Sequence, residues 1–165
     1  MEFKDNVTIA TSKNPLEEYL RGLFLNAKEL LVMLELAIQN NNNTYIEHSI
    51  YMHNLLLSIE LYLKYRISID SNYKSKFEAV KKHRKYSHNL IELINYFLDD
   101  KNKDHDSQNE SLLQNLKIIK NAHVNRYHFL RYGFIHEEKE IVKGYKNIDW
   151  RAIFNEFHRK LVRYE

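Results

Sequence analysis

The chain has 165 residues, no cysteine, three glycines, one proline and a formal net charge of +3. The lack of cysteine excludes disulfides, thiolate nucleophiles and cysteine-ligated zinc, and so few glycines and prolines argue for helices with few tight turns. The small positive excess permits a polyanionic partner, but such a partner needs a local basic patch to bind.

The length suits one domain with a sizeable core. The chain has no charged-then-apolar leader and no apolar run of ~18 or more residues, so it does not read as secretory or membrane-spanning, and a cytoplasmic location is expected. Residues 1–13 lack a helical period and are expected to form an arm; residues 14–165 read as a single helical domain. Asn14-Pro15-Leu16-Glu17 is a helix start, with Asn as N-cap, Pro in the first helical position and Glu in the third. Leu16, Leu20, Leu23, Phe24, Ala27, Leu30, Leu31, Leu34 and Ile38 then recur at steps of three and four, predicting an amphipathic helix that stops at Asn40–Asn43.

A second helix is predicted over Thr44–Ser68, with Thr44 and Glu47 at capping-box spacing. It is apolar on more than one side: Ile46, Ile50, Leu57 and Leu61 form one stripe, Met52, Leu55, Ile59 and Tyr62 another, and Leu56 and Leu63 lie between. That pattern marks the buried middle of a bundle. His53 is expected to be packed there. Glu60 is expected to be a buried carboxylate bonded to a neighbouring helix, its pKa raised unless a cation is near.

After a polar break at Ser68–Lys76 comes Phe77–Tyr86, with Lys81, Lys82, Arg84 and Lys85 nearly consecutive. These cations suit either a solvated helix end facing its dipole or a phosphate-contacting patch. Ser87 is the predicted N-cap of a helix over His88–Leu98, whose Leu90, Leu93, Ile94, Phe97 and Leu98 share a face. Asp99–Asn109 reads as a loop. Ser107 and Glu110 then open a long helix that carries Leu112, Leu116, Ile119, His123, Tyr127 and Leu130 in register and is weakened by Gly133. Lys139–Lys146 is a connector, with a small β-hairpin as one form of it. Asp149 caps a last helix with Trp150, Ile153, Phe154, Phe157 and Leu161 inward. The expected fold is all-α, an up-and-down bundle of four long helices plus one shorter helix.

Catalytic signatures of the common kinds are missing. The pairs His83/His88 and His123/His128 are each five apart, off one helical face, and there is no HExxH, so no metal site and no cofactor are expected. Three scattered glycines cannot build a phosphate loop, and there is no nucleophile elbow. What remains is Asn125–Glu138, in which Arg126, Arg131, His128 and His136 share a largely apolar stretch. An arginine and a histidine at such a distance suit metal-free phosphoryl chemistry, the imidazole moving protons and the guanidinium holding charge on the phosphate. With four to six residues allowed between the two, Arg151/His158 matches as well as Arg131/His136, so spacing alone does not single out Arg131/His136.

Context does. IYMHNLLLSIELYLKYRI, ending in Glu60 to Lys64, then KKHRKYSHNLIEL with His88-Asn89-Leu90, then Arg131-Tyr-Gly-Phe-Ile-His136, follow in that order. Together they resemble the HEPN domains (higher eukaryotes and prokaryotes nucleotide-binding), over roughly Pro15 to the C-terminus. The resemblance implies a metal-independent endoribonuclease of the toxin–antitoxin or antiphage defence type, in which the RNA 2′-hydroxyl attacks the adjacent phosphate and leaves a 2′,3′-cyclic phosphate. It implies His136 as acid/base and Arg131 as phosphate clamp, with Glu60 and Arg126 as polar supports, in a cleft of a homodimer. Lys81, Lys82, Arg84, Lys85 and Tyr132 are candidate RNA contacts, Tyr127 and Tyr132 being able to stack a base. Tyr132 stands where active members usually carry a polar residue, and Gly133 lies inside the motif. The alternative is therefore a silent HEPN-like module that binds a nucleotide, RNA or partner protein, such as a nucleotidyltransferase-type antitoxin.

Overall fold

The computed structural model describes residues 14–40, 49–71, 73–86, 89–99, 110–121 and 148–162. Six helices lie within them, and no strand: α1 (Pro15–Asn40), α2 (Ser49–Asp70), α3 (Lys76–Tyr86), α4 (Leu90–Leu98), α5 (Glu110–Asn121) and α6 (Trp150–Leu161). The fold is all-helical, as expected. Two of these helices are long and four run nine to twelve residues. The arm at 1–13, the Thr44/Glu47 cap, Ile46, Ser107 and the stretch 122–147 lie outside the described residues.

Local chemistry explains the helix starts. Asn14 Oδ1 accepts from the amides of Leu16 and Glu17 at 3.1 and 3.3 Å, and Asp149 Oδ1 accepts from Ala152 at 2.9 Å. Each satisfies an amide that the first turn leaves orphaned. The start expected at Ser87 is corrected. Helix α4 begins at Leu90, and its N-cap is Asn89, whose Oδ1 accepts from Glu92 N at 3.2 Å. Asparagine ranks with serine as a cap, and here it stands three residues before an amide that needs an acceptor.

Helix α2 lies at the centre, with α1, α4 and α6 packed on it, while α5 packs on α4 and α6 and α3 on α1 and α4. Met52, Leu55, Leu56, Ile59, Tyr62, Leu63 and Ile67 are all buried. The stripe expected from Ile50 through Leu57 and Leu61 is the less covered one. Ile50 is half exposed, and Leu57 and Leu61 are only partly buried against the core. Neighbouring helices contribute Leu31 and Leu34 (α1), Leu93 and Ile94 (α4), Leu116 (α5) and Phe157 (α6) to the same core.

Helices α1 and α2 meet closely at two small residues. Ala27 and Ser58 are both fully buried, and Ser58 Oγ donates to the Ala27 carbonyl at 2.8 Å. In a close-packed contact of this kind a larger side chain forces its neighbours to shift. Ala27→Leu is expected to destabilise the protein by about 1–3 kcal/mol, measured by urea unfolding with an unchanged m value.

Candidate nucleic-acid interface

Of the predicted site residues, Arg126, Arg131, Tyr132 and His136 lie outside the described residues. Glu60, Lys81, Lys82, Arg84 and Lys85 lie within them. Glu60 is only 1% exposed. Its carboxylate meets Lys64 Nζ at 2.5 Å, four residues on in its own helix. Glutamate four residues before lysine is the orientation that a helix itself brings together, and the Lys64 ammonium is itself largely covered. His53 is buried as expected, with Nδ1 3.3 Å from Asn54 Oδ1.

The basic segment forms α3, and a reciprocal cap starts it. Ser75 Oγ accepts from Glu78 N at 3.2 Å, and the Glu78 carboxylate reaches back to Lys74 N at 3.1 Å. Ser75-x-x-Glu78 is capping-box spacing in the sequence, a signal hidden within what reads as a polar break.

Three residues of α3 turn inward, Ala79, His83 and Tyr86. His83 is the anchor. Its Nδ1 lies 2.6 Å from the Tyr19 hydroxyl of α1, and its Nε2 lies 2.8 Å from Ser68 Oγ of α2. Ser68 donates its one proton to the Lys64 carbonyl at 2.8 Å. The protons are thereby ordered: Nε2–H donates to Ser68 Oγ, and Nδ1 accepts from the Tyr19 O–H. That chain requires a neutral imidazole. Burial pushes the His83 pKa down to about 4, and the positive charge of Lys64 acts in the same direction. Tyr73 packs edge-on against the ring at 6.3 Å between centroids. His83 thus joins three helices through one ring.

With Ala79, His83 and Tyr86 committed inward, the opposite side of α3 faces water. Lys81, Lys82, Arg84 and Lys85 are all exposed, as are Lys76 at the first position of the helix and Lys74 in the turn before it. Lys76 Nζ sits 6.0 Å from the centre of the Tyr19 ring. Against these six cations the same segment carries one carboxylate, Glu78, which is occupied by the cap. A ridge of this kind raises the local concentration of polyanions and contacts phosphates without reading bases.

The other buried charges serve packing. Glu156 of α6 holds Arg159 at 2.9 Å, Lys160 at 3.6 Å and the Ser111 hydroxyl of α5 at 3.2 Å. His158 meets Glu35 of α1 at 2.9 Å, which explains its inward position in the second arginine–histidine match. Among the described residues no group of three or more His, Asp or Glu side chains could hold a metal ion, and no helix is long and apolar enough to cross a membrane.

The His83 chain makes stability depend on pH. The unfolded imidazole titrates near 6.5 and the folded one near 4, so between those values the unfolded state binds the extra proton. Stability is full above about pH 6.5 and falls as pH drops towards 4, by at most about 3 kcal/mol. Denaturant titrations across that window are expected to show the slope, and His83→Gln is expected to flatten it. Tyr19→Phe leaves Nδ1 buried without its donor and is expected to cost about 1–2 kcal/mol at neutral pH by the same titration. Comparison with family models, with curated proteins and with solved structures gives no match.

Proposed function

We propose that this chain acts on RNA as a HEPN-like, metal-independent endoribonuclease. The observation that carries the RNA part is the solvent-facing cationic side of α3 and the turn before it, six cations around a single capped carboxylate. Phosphate backbones are the partner whose affinity such a ridge supplies. The catalytic part rests on the order of the three sequence motifs and on Arg131 and His136, which lie outside the described residues. In this reading His136 takes the proton of a ribose 2′-hydroxyl as its oxygen attacks the adjacent phosphorus. A proton passes to the departing 5′-oxygen as the P–O bond breaks, and a 2′,3′-cyclic phosphate remains. Arg131 holds the non-bridging oxygens, where negative charge builds up. Glu60 and Arg126 are polar supports. The resemblance adds a homodimer, whose shared cleft holds the site, and a regulating antitoxin in a toxin–antitoxin or antiphage setting.

Tyr132, in the place of a polar residue, favours a second reading: a silent module that binds RNA, a nucleotide or a nucleotidyltransferase-type partner. One experiment separates the two. Purified protein is incubated with tRNA and unstructured RNA in EDTA, beside Arg131→Ala and His136→Ala. Cleavage leaving cyclic phosphate ends, reduced at least a hundredfold in both variants, is expected. RNA retained but uncut selects the silent module, and cleavage indifferent to both substitutions removes the pair from the chemistry.

A further inference from the structure

Phe77 is 76% exposed, the most exposed of the large hydrophobic side chains among the described residues and the one aromatic in that group. The others are aliphatic: Leu25, Met33 and Leu36 on α1, Ile50 and Ile69 on α2, and Ile118 on α5. Phe77 stands in the first turn of α3, and Lys81, Arg84 and Lys85 follow it at four, seven and eight residues. Those intervals put all four on one helix face. It is the face opposite Ala79, His83 and Tyr86, the residues that fix α3 to the bundle.

We propose that this face of α3 is a docking surface for single-stranded RNA, with Phe77 as a stacking platform for one base and Lys81, Arg84 and Lys85 along the phosphates. The inference rests on the RNA reading above and adds which form of RNA is taken. Cations alone accept duplex and single strand alike. An exposed ring beside them adds a contact that only an unstacked base can meet, because in a duplex the base faces are already covered. An acidic membrane surface fits less well. Interfacial helices bury a whole apolar face, whereas the apolar side of α3 is committed to the core and leaves one ring outside. Phe77 also lies outside the packed core, so its loss is not expected to unfold the protein.

The test uses fluorescence anisotropy with 2′-O-methyl oligouridine, which cannot be cleaved by 2′-hydroxyl attack, and a 2′-O-methyl hairpin of equal charge. The proteins are wild type, Phe77→Ala, Phe77→Trp and a triple variant carrying Lys81→Gln, Arg84→Gln and Lys85→Gln, all checked for unchanged thermal unfolding. Phe77→Ala is expected to weaken single-strand binding roughly tenfold with hairpin binding and salt slope unchanged, and Phe77→Trp to retain it. The triple variant is expected to shallow the single-strand salt slope by about 2. Wild-type single-strand affinity in Phe77→Ala would overturn the stacking role while leaving the RNA reading intact. Failure of the wild type to bind either oligonucleotide would overturn both. Binding to phosphatidylserine vesicles that is lost in Phe77→Ala, with no RNA binding, would assign the face to a membrane instead.

Discussion

A helix that is apolar around most of its circumference has to give each polar side chain a partner inside the bundle, and α2 imposes that requirement on everything packed around it. Burying an unpartnered hydroxyl or charge costs several times what a single hydrogen bond contributes. Ser58 therefore spends its proton on the α1 backbone. Glu60 holds Lys64, and Ser68 sits between the Lys64 carbonyl and the His83 ring. These polar contacts lie along the same helix that supplies Leu55, Leu56, Ile59 and Leu63 to the core. Apolar burial supplies the driving force, while the polar bonds select which neighbour may lie where.

The last of these bonds shapes the surface. The position of α3 depends on a neutral histidine with a donor on one ring nitrogen and an acceptor on the other. A protonated ring would have to donate at both nitrogens, and the Tyr19 hydroxyl would have to turn. Low dielectric and the nearby lysine both oppose that change. The same short helix thus holds a buried, uncharged imidazole and, on its other side, a dense row of positive charges. The two are linked through geometry: inward steps of four and three residues leave the intervening cations nowhere to go but outward.

Much of the fold was legible in the sequence, for reasons visible in particular residues. Asn14, Pro15 and Asp149 carry their capping chemistry in their own side chains, and the apolar steps of α1, α4 and α6 are strong enough to be read without neighbours. The burial of Glu60 follows from the company it keeps, and its contact with Lys64, one turn on, is written in the spacing of the two residues. The start of α4 is less legible, two residues later than Ser87 predicts, because Ser87 and Asn89 are both good caps and sequence gives no means of choosing between them. In the sequence His83 presents itself only as a possible metal ligand. Its actual partners are 64 and 15 residues away, and no local pattern announces a contact that the tertiary packing creates.

One consequence follows from the way α3 is fastened. A short helix with few apolar contacts is held in rotation only as firmly as those side chains interdigitate with their neighbours. A helix pinned through both nitrogens of a single ring, to hydroxyls on two different neighbours, has its azimuth fixed as a key is fixed by its bit. The direction in which Phe77, Lys81 and Arg84 point is then set by two bonds on the far side of the helix. A change in the interior, at Tyr19 or Ser68, would be felt as a rotation of the exterior.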